Sequence, residues 1–132
     1  MRTITSIREG GVMEDIVVLE GPIEAEDLAR LVALFSDMVK YVVDIQQKRI
    51  AAGGSMHADA EHVLLERGSL QSDLWGANYY PGRGEAECIE YTSLINIRPA
   101  AGNPGMEIQD AGVRSRVRDL TLAWIGRGEP LS

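Results

Sequence analysis

Cysteine, basic charge and long apolar runs are all scarce in this sequence, and each shortage removes a class of protein. Cys88 is the single cysteine. No internal disulfide can therefore form, and no Cys/His set has the spacing of a zinc site. That usage fits a reducing cytoplasm. Lys and Arg number 13 against 20 Asp and Glu, a net charge of −7. A general nucleic-acid binder needs a basic surface that releases counterions from phosphates, so nucleic acid is not an expected partner. The longest apolar runs, Ile16 to Leu19 and Leu31 to Phe35, fall far short of the roughly 20 residues of a membrane span, and no membrane partner is expected. The opening Met1-Arg2-Thr3-Ile4-Thr5-Ser6 lacks the continuous apolar stretch of an export signal. Ser69 and Ser93 have no Gly-x-Ser-x-Gly elbow around them, and Gly102-Asn103-Pro104-Gly105 has no phosphate-loop lysine. There is no internal repeat and no low-complexity segment.

What is present is the balance of a folded domain: 132 residues, 45% hydrophobic and 25% charged, enough for one core and not two. Residues 1–12 alternate weakly over Thr3 to Arg8, break at Gly10-Gly11 and read as an N-terminal extension. Residues 13–127 read as a single domain and 128–132 as a tail. Ile16 to Leu19 is a strand. Gly21-Pro22 ends it and, with Glu24, Glu26 and Asp27 following, opens a helix over 23–36 whose Leu28, Leu31, Val32 and Phe35 share a face. Met38 to Ile45, the polar Gln46-Gln47-Lys48-Arg49 and the run from Ile50 have the form of a hairpin. Gly53-Gly54 then marks a bulge, or a place where another backbone or a ligand comes close.

Residues 62–66 allow a short helix or a strand, and the period of two over Ser69 to Gly76 favours the strand. Tyr80 to Glu85 is turn chemistry. From Cys88 to Arg98, Ile89, Tyr91, Ser93, Ile95 and Ile97 fall on one face and Glu90, Thr92, Leu94, Asn96 and Arg98 on the other, which predicts a long strand ended by Pro99. A loop over 99–109 leads to Asp110, an N-cap for a helix carrying Val113, Val117, Leu120 and Trp124 and stopped at Gly126. The fold class expected is α+β, a single layer of mostly antiparallel sheet with two main helices packed on one face.

Three stretches, Gly53-Gly54-Ser55-Met56-His57-Ala58-Asp59-Ala60-Glu61, Asp73-Leu74-Trp75-Gly76 and Ser93-Leu94-Ile95-Asn96-Ile97-Arg98-Pro99, carry a resemblance. Over roughly residues 13–126 the chain resembles a family of small bacterial, cyanobacterial and archaeal proteins known only as a domain of unknown function. The resemblance implies a fold and makes Met13 a plausible original start. It implies no activity.

On an extended chain His57, Asp59 and Glu61 would project together, offering a proton shuttle beside two carboxylates for acid–base catalysis. The same three could begin a shell for Mg²⁺, Mn²⁺ or Zn²⁺, yet nothing in the sequence completes it, so no metal site is assigned and the cofactor stays unknown. The alternative is a solvated surface cluster. Asp73, Asn96 and Arg98, with Asn103 from the following loop, form the candidate ligand-binding set, in which Arg98 would clamp a carboxylate or phosphate. Its bland counterpart is an Arg98 paired with Asp73 or Glu90 inside a satisfied network. Residues 110–132 carry a net charge of +1 and residues 1–109 a net −8, an asymmetry that allows contact between two copies, although a solvated helix face would look the same. The sequence therefore points to a protein with a polar pocket for a small polar or anionic ligand, homo-oligomeric, with hydrolase-like acid–base chemistry as one possibility. The alternative is a non-enzymatic homodimeric interaction or regulatory module, for example a toxin–antitoxin-type partner.

Overall fold

The computed structural model describes residues 7–9, 12–35 and 37–131. The alternation expected over Thr3 to Arg8 lies outside them except at Ile7 and Arg8. Strands β1 (Ile7–Glu9) and β2 (Val12–Glu14) pair as a separate antiparallel ribbon. The main sheet has five antiparallel strands in the order β3 (Ile16–Leu19), β5 (Arg49–Gly53), β4 (Val39–Asp44), β6 (Leu74–Tyr79), β7 (Ile89–Glu90).

The expected hairpin is β4–β5, with Asp44 paired to Arg49. Asp44 is fully buried, and its carboxylate accepts from Gln46 N at 2.9 Å, Gln47 N at 2.8 Å and Ser69 Oγ at 2.6 Å, which fixes the turn. Of the two readings open at Gly53-Gly54, backbone approach is the one found. A Cβ on Gly53 (φ +111°) would stand 2.1 Å from the Asp15 carbonyl oxygen, so only glycine lets the chain return there.

Helices α1 (Ala25–Leu34) and α3 (Ala111–Trp124) are the two expected from periodicity. Asp110 caps α3 by accepting from Val113 N at 2.9 Å. Both pack on one face of the sheet, where Leu28, Leu31, Val32 and Val117 meet Val17, Tyr41, Val43, Ile50 and Ala77. Tyr41 OH joins that face to α3 through Thr121 Oγ1 at 2.6 Å.

Three expectations are corrected. Residues 57–66 form a third helix, α2 (His57–Glu66), in place of a strand. Its Ala60, Val63 and Leu64 follow helical spacing and cover the opposite sheet face with Ile16, Val18, Val42, Ala51 and Leu74. His57, Asp59 and Glu61 therefore do not share the face of an extended chain: at 100° per residue Asp59 turns away from the other two. The strand predicted over Cys88 to Arg98 ends after Glu90. Ser93 Oγ accepts from Ile95 N at 3.2 Å and opens a 3-10 turn, Leu94–Asn96, a local bond that competes with sheet pairing. Similarly, Gln71–Asp73 is a 3-10 turn ahead of β6, so the period of two over Ser69 to Gly76 is not one strand.

Candidate functional site

The site grows out of the way the outer edge of β6 is completed. β7 pairs only with Asn78 and Tyr79. Further along that edge, side chains replace the missing strand. Asn96 Oδ1 accepts from Gly76 N at 2.8 Å while Asn96 Nδ2 donates to Gly76 O at 3.0 Å, and one guanidinium nitrogen of Arg98 donates to Leu74 O. A carboxamide presents the same donor and acceptor pair as a peptide, which is why Asn serves here. Asn103 performs the same service for the next loop. Its Nδ2 donates to the carbonyls of Asn96 (2.8 Å), Gly105 (3.1 Å) and Glu107 (2.9 Å), and its Oδ1 accepts from Gln109 N at 2.9 Å. Both amides are buried and engaged with backbone at each end.

The 3-10 turn thus held against β6 leaves a cleft on each side of Leu94 and Ile95. The first, about 340 Å³, is lined by His57, Lys40, Asn78 and Ser93 among the apolar Met56, Leu94, Ile95 and Met106. Its floor is Gly76. A Cβ there would stand 2.6 Å from Ser93 Cβ and 3.2 Å from His57 Cδ2, so the glycine is what admits the imidazole against the sheet. His57 Nε2 lies 2.9 Å from Ala77 O. A carbonyl only accepts, so Nε2 carries the hydrogen and Nδ1 the lone pair. Burial pushes the His57 pKa below its ordinary 6.5; the Ala77 bond opposes this and the Lys40 charge adds to it. A polar chain runs on from the ring's neighbour: Asn78 Nδ2 donates to Glu90 Oε1 at 2.8 Å, and Tyr80 OH donates to the same oxygen at 3.0 Å.

The second cleft, about 370 Å³, is lined by Glu61, Gln71, Arg98, Leu94, Ile95 and Ile97. Arg98 is held by the Leu74 carbonyl and stacks on the Trp75 ring, its carbon 4.5 Å from the centroid. Burial lowers its pKa while the charges of Glu61 and Asp73 oppose the shift. Glu61 Oε2 and Arg98 Nη1 are both buried without a hydrogen-bond partner. Asp59 lies beside Gly54, its Cβ 3.6 Å from where a Cβ on that glycine would stand. The structure therefore divides the expected residues. His57 faces one cleft, Glu61 and Arg98 face the other, Asp73 acts on Arg98 through its charge, and Asn96 and Asn103 hold the loop that separates them. Among the described residues, no three His, Cys, Asp or Glu side chains gather as metal ligands, and no helix is long and apolar enough to cross a membrane.

Lys40, Asn78, Ser93 and Met106 join His57 from separate elements, and sequence reasoning did not group them. The available signal was Gly76, a glycine inside an otherwise bulky strand, which marks close approach. The molecule is thus an α+β protein with a helix-covered antiparallel sheet and two clefts divided by one 3-10 turn. The chain belongs to the family described as "Protein of unknown function (DUF5674)", whose model matches residues 17–123, from β3 into the last turn of α3. No curated protein and no solved structure matches it.

Proposed function

We propose that the chain binds a small molecule with an apolar body and one anionic end in the His57 cleft. The observation that carries this reading is a half-buried imidazole, neutral at pH 7, set among apolar walls with a lysine at the same cleft. Mostly apolar pockets of about 300–1,000 Å³ with a few convergent polar groups are the usual form of small-ligand sites. Lys40 supplies the counter-charge and Asn78 a directional bond. His57 Nδ1 supplies an acceptor, and it is the group through which acid–base chemistry on the ligand would run. The free, buried Cys88 suits a reducing compartment, so the ligand is sought among cytoplasmic metabolites.

Titration of the ¹⁵N-labelled chain with hexanoate and with hexanol tests the reading. Hexanoate should shift the amides of His57, Asn78 and Ser93–Ile95 and bind about tenfold more tightly than hexanol. In Lys40→Gln the two should become equal. Equal affinity in the unaltered protein, or shifts confined to other surfaces, would remove it.

A second reading, a homodimeric interaction module, is favoured by the apolar rim of the clefts. Leu94 is 67% exposed, and Met56, Ile97 and Met106 are exposed beside it. Sedimentation across a range of concentrations decides this, since a monomer throughout would discard it.

A further inference from the structure

We infer that the ligand of the His57 cleft carries a hydroxyl group besides its anionic end, which makes it an apolar hydroxy acid. This rests on the reading of that cleft given above and takes it further, to the class of molecule bound. Its basis is the way the imidazole is set. Nε2 lies 2.9 Å from Ala77 O, and Cδ2 stands 3.2 Å from where a Cβ on Gly76 would lie. The Nε2–Cδ2 bond is thus turned to β6, and the ring vertex opposite that bond, Nδ1, points away from the sheet. Nδ1 has no hydrogen-bond partner, and it is not closed off by protein as Asn78 Oδ1 is. The ring lines the cleft, so its one unanswered atom is open to an occupant.

Because Nε2 gives its hydrogen to Ala77, Nδ1 can only accept, and the occupant must donate. The cleft discriminates among the donors a small molecule can offer. An ammonium would stand near Lys40, whose charge already opposes a proton on His57, and would be repelled in the same way. An amide N–H brings a carbonyl that needs a donor of its own, and the walls of Met56, Leu94, Ile95 and Met106 side chains have none to give. A hydroxyl is neutral and brings no carbonyl. The anionic end goes to Lys40, which pairs with Asn78 across β4 and β6, one diagonal step from the Gly76 beneath the ring, a spacing of roughly 7 Å. The imidazole is pinned at two atoms, whereas a lysine is a point charge on a flexible four-carbon stem. Nδ1 therefore fixes where the hydroxyl sits, and Lys40 follows the carboxylate.

The test compares hexanoate with 2-, 3- and 6-hydroxyhexanoate in ¹⁵N NMR titrations of the full chain at about pH 7.5, where His57 is neutral. At least one hydroxy acid should bind about threefold or more tightly than hexanoate, the gain expected of one added hydrogen bond. That compound should also move the His57 Nδ1 resonance towards the position of a hydrogen-bonded nitrogen and leave Nε2 in place, which hexanoate should not do. His57→Phe keeps a flat ring above Gly76 without the acceptor and should erase the gain. It also strips Ala77 O of its partner, so if that variant does not fold, the Nδ1 resonance of the unaltered chain decides. A gain below about threefold for all three hydroxy acids, a gain that survives in folded His57→Phe, or an Nδ1 that does not respond would each overturn the inference. Binding of hexanoate with no gain from any hydroxyl removes this inference and keeps the reading of the cleft, whereas binding of none of the four compounds removes both.

Discussion

Replacing Asn96 by Ala removes a side chain that acts as a piece of backbone, and the cost can be worked out from its bonds. Asn96 is fully buried and makes three bonds: from Gly76 N, to Gly76 O and to Met106 O at 3.1 Å. Met106 O retains the bond from Ser93 N at 3.1 Å, so its loss is slight. Gly76 fares differently. Its N–H and C=O point away from β4 and have no strand beyond them, so both become buried and unsatisfied. At about 1–3 kcal/mol for each such group, and with a small void added, the expected loss is about 3–4 kcal/mol. Against a total of about 5–15 kcal/mol this is a large share, and it corresponds to a Tm lower by about 10 °C for a chain of this size. Urea unfolding followed by circular dichroism measures it, with the midpoint falling and the slope unchanged. A cost below about 1 kcal/mol at constant slope would show that water or a loop shift satisfies Gly76, and the account of Asn96 as a backbone surrogate would fail.

Two further outcomes follow from local features. The His57 pKa is lowered by burial, so between that depressed value and 6.5 the unfolded chain binds more protons than the folded one. Stability therefore falls as the pH drops below about 6.5 through the folded pKa, and His57→Gln should flatten that part of the urea midpoint against pH; an unchanged curve would refute the assignment. Gly53→Ala forces a side chain into a left-handed conformation at 2.1 Å from the Asp15 carbonyl and should cost about 2 kcal/mol or more, with thermal unfolding at or above the unaltered Tm as the contrary result.

How far the sequence could be read depended on whether each segment's local preference agreed with its tertiary role. The β4–β5 hairpin and α1 were legible because β-branched residues, Gly-Pro and helical spacing all point the same way. α3 was legible from Asp110 and its stripe. α2 was not, since its buried face is Ala60, Val63 and Leu64, where the alanine gives little periodic signal, and its N-cap, Met56, carries no capping side chain. The segment after Cys88 misled in the opposite direction. Its period of two runs to Ile97 apart from Ser93 and Leu94, but Ser93 Oγ accepts from Ile95 N, and the Asn96 side chain takes the hydrogen bonds that a strand would have made. Of the candidate site, His57, Glu61 and Arg98 were legible as chemistry. Their division between two clefts was not, because it rests on the same turn.

The side chains that complete β6 also decide how copies of this chain can and cannot meet. An open strand edge recruits any extended peptide, and proteins guard against such aggregation with short strands and charged residues. Here β7 is two residues long, and beyond it the bonding positions on Gly76 and Leu74 are already taken by a carboxamide and a guanidinium. A sheet running on from β6 into a second molecule would first have to evict Asn96 and Arg98. Self-association of this chain must therefore proceed through side-chain surfaces or through the β3 edge, and a variant that loses Asn96 is the one in which sticky, edge-to-edge pairing should emerge.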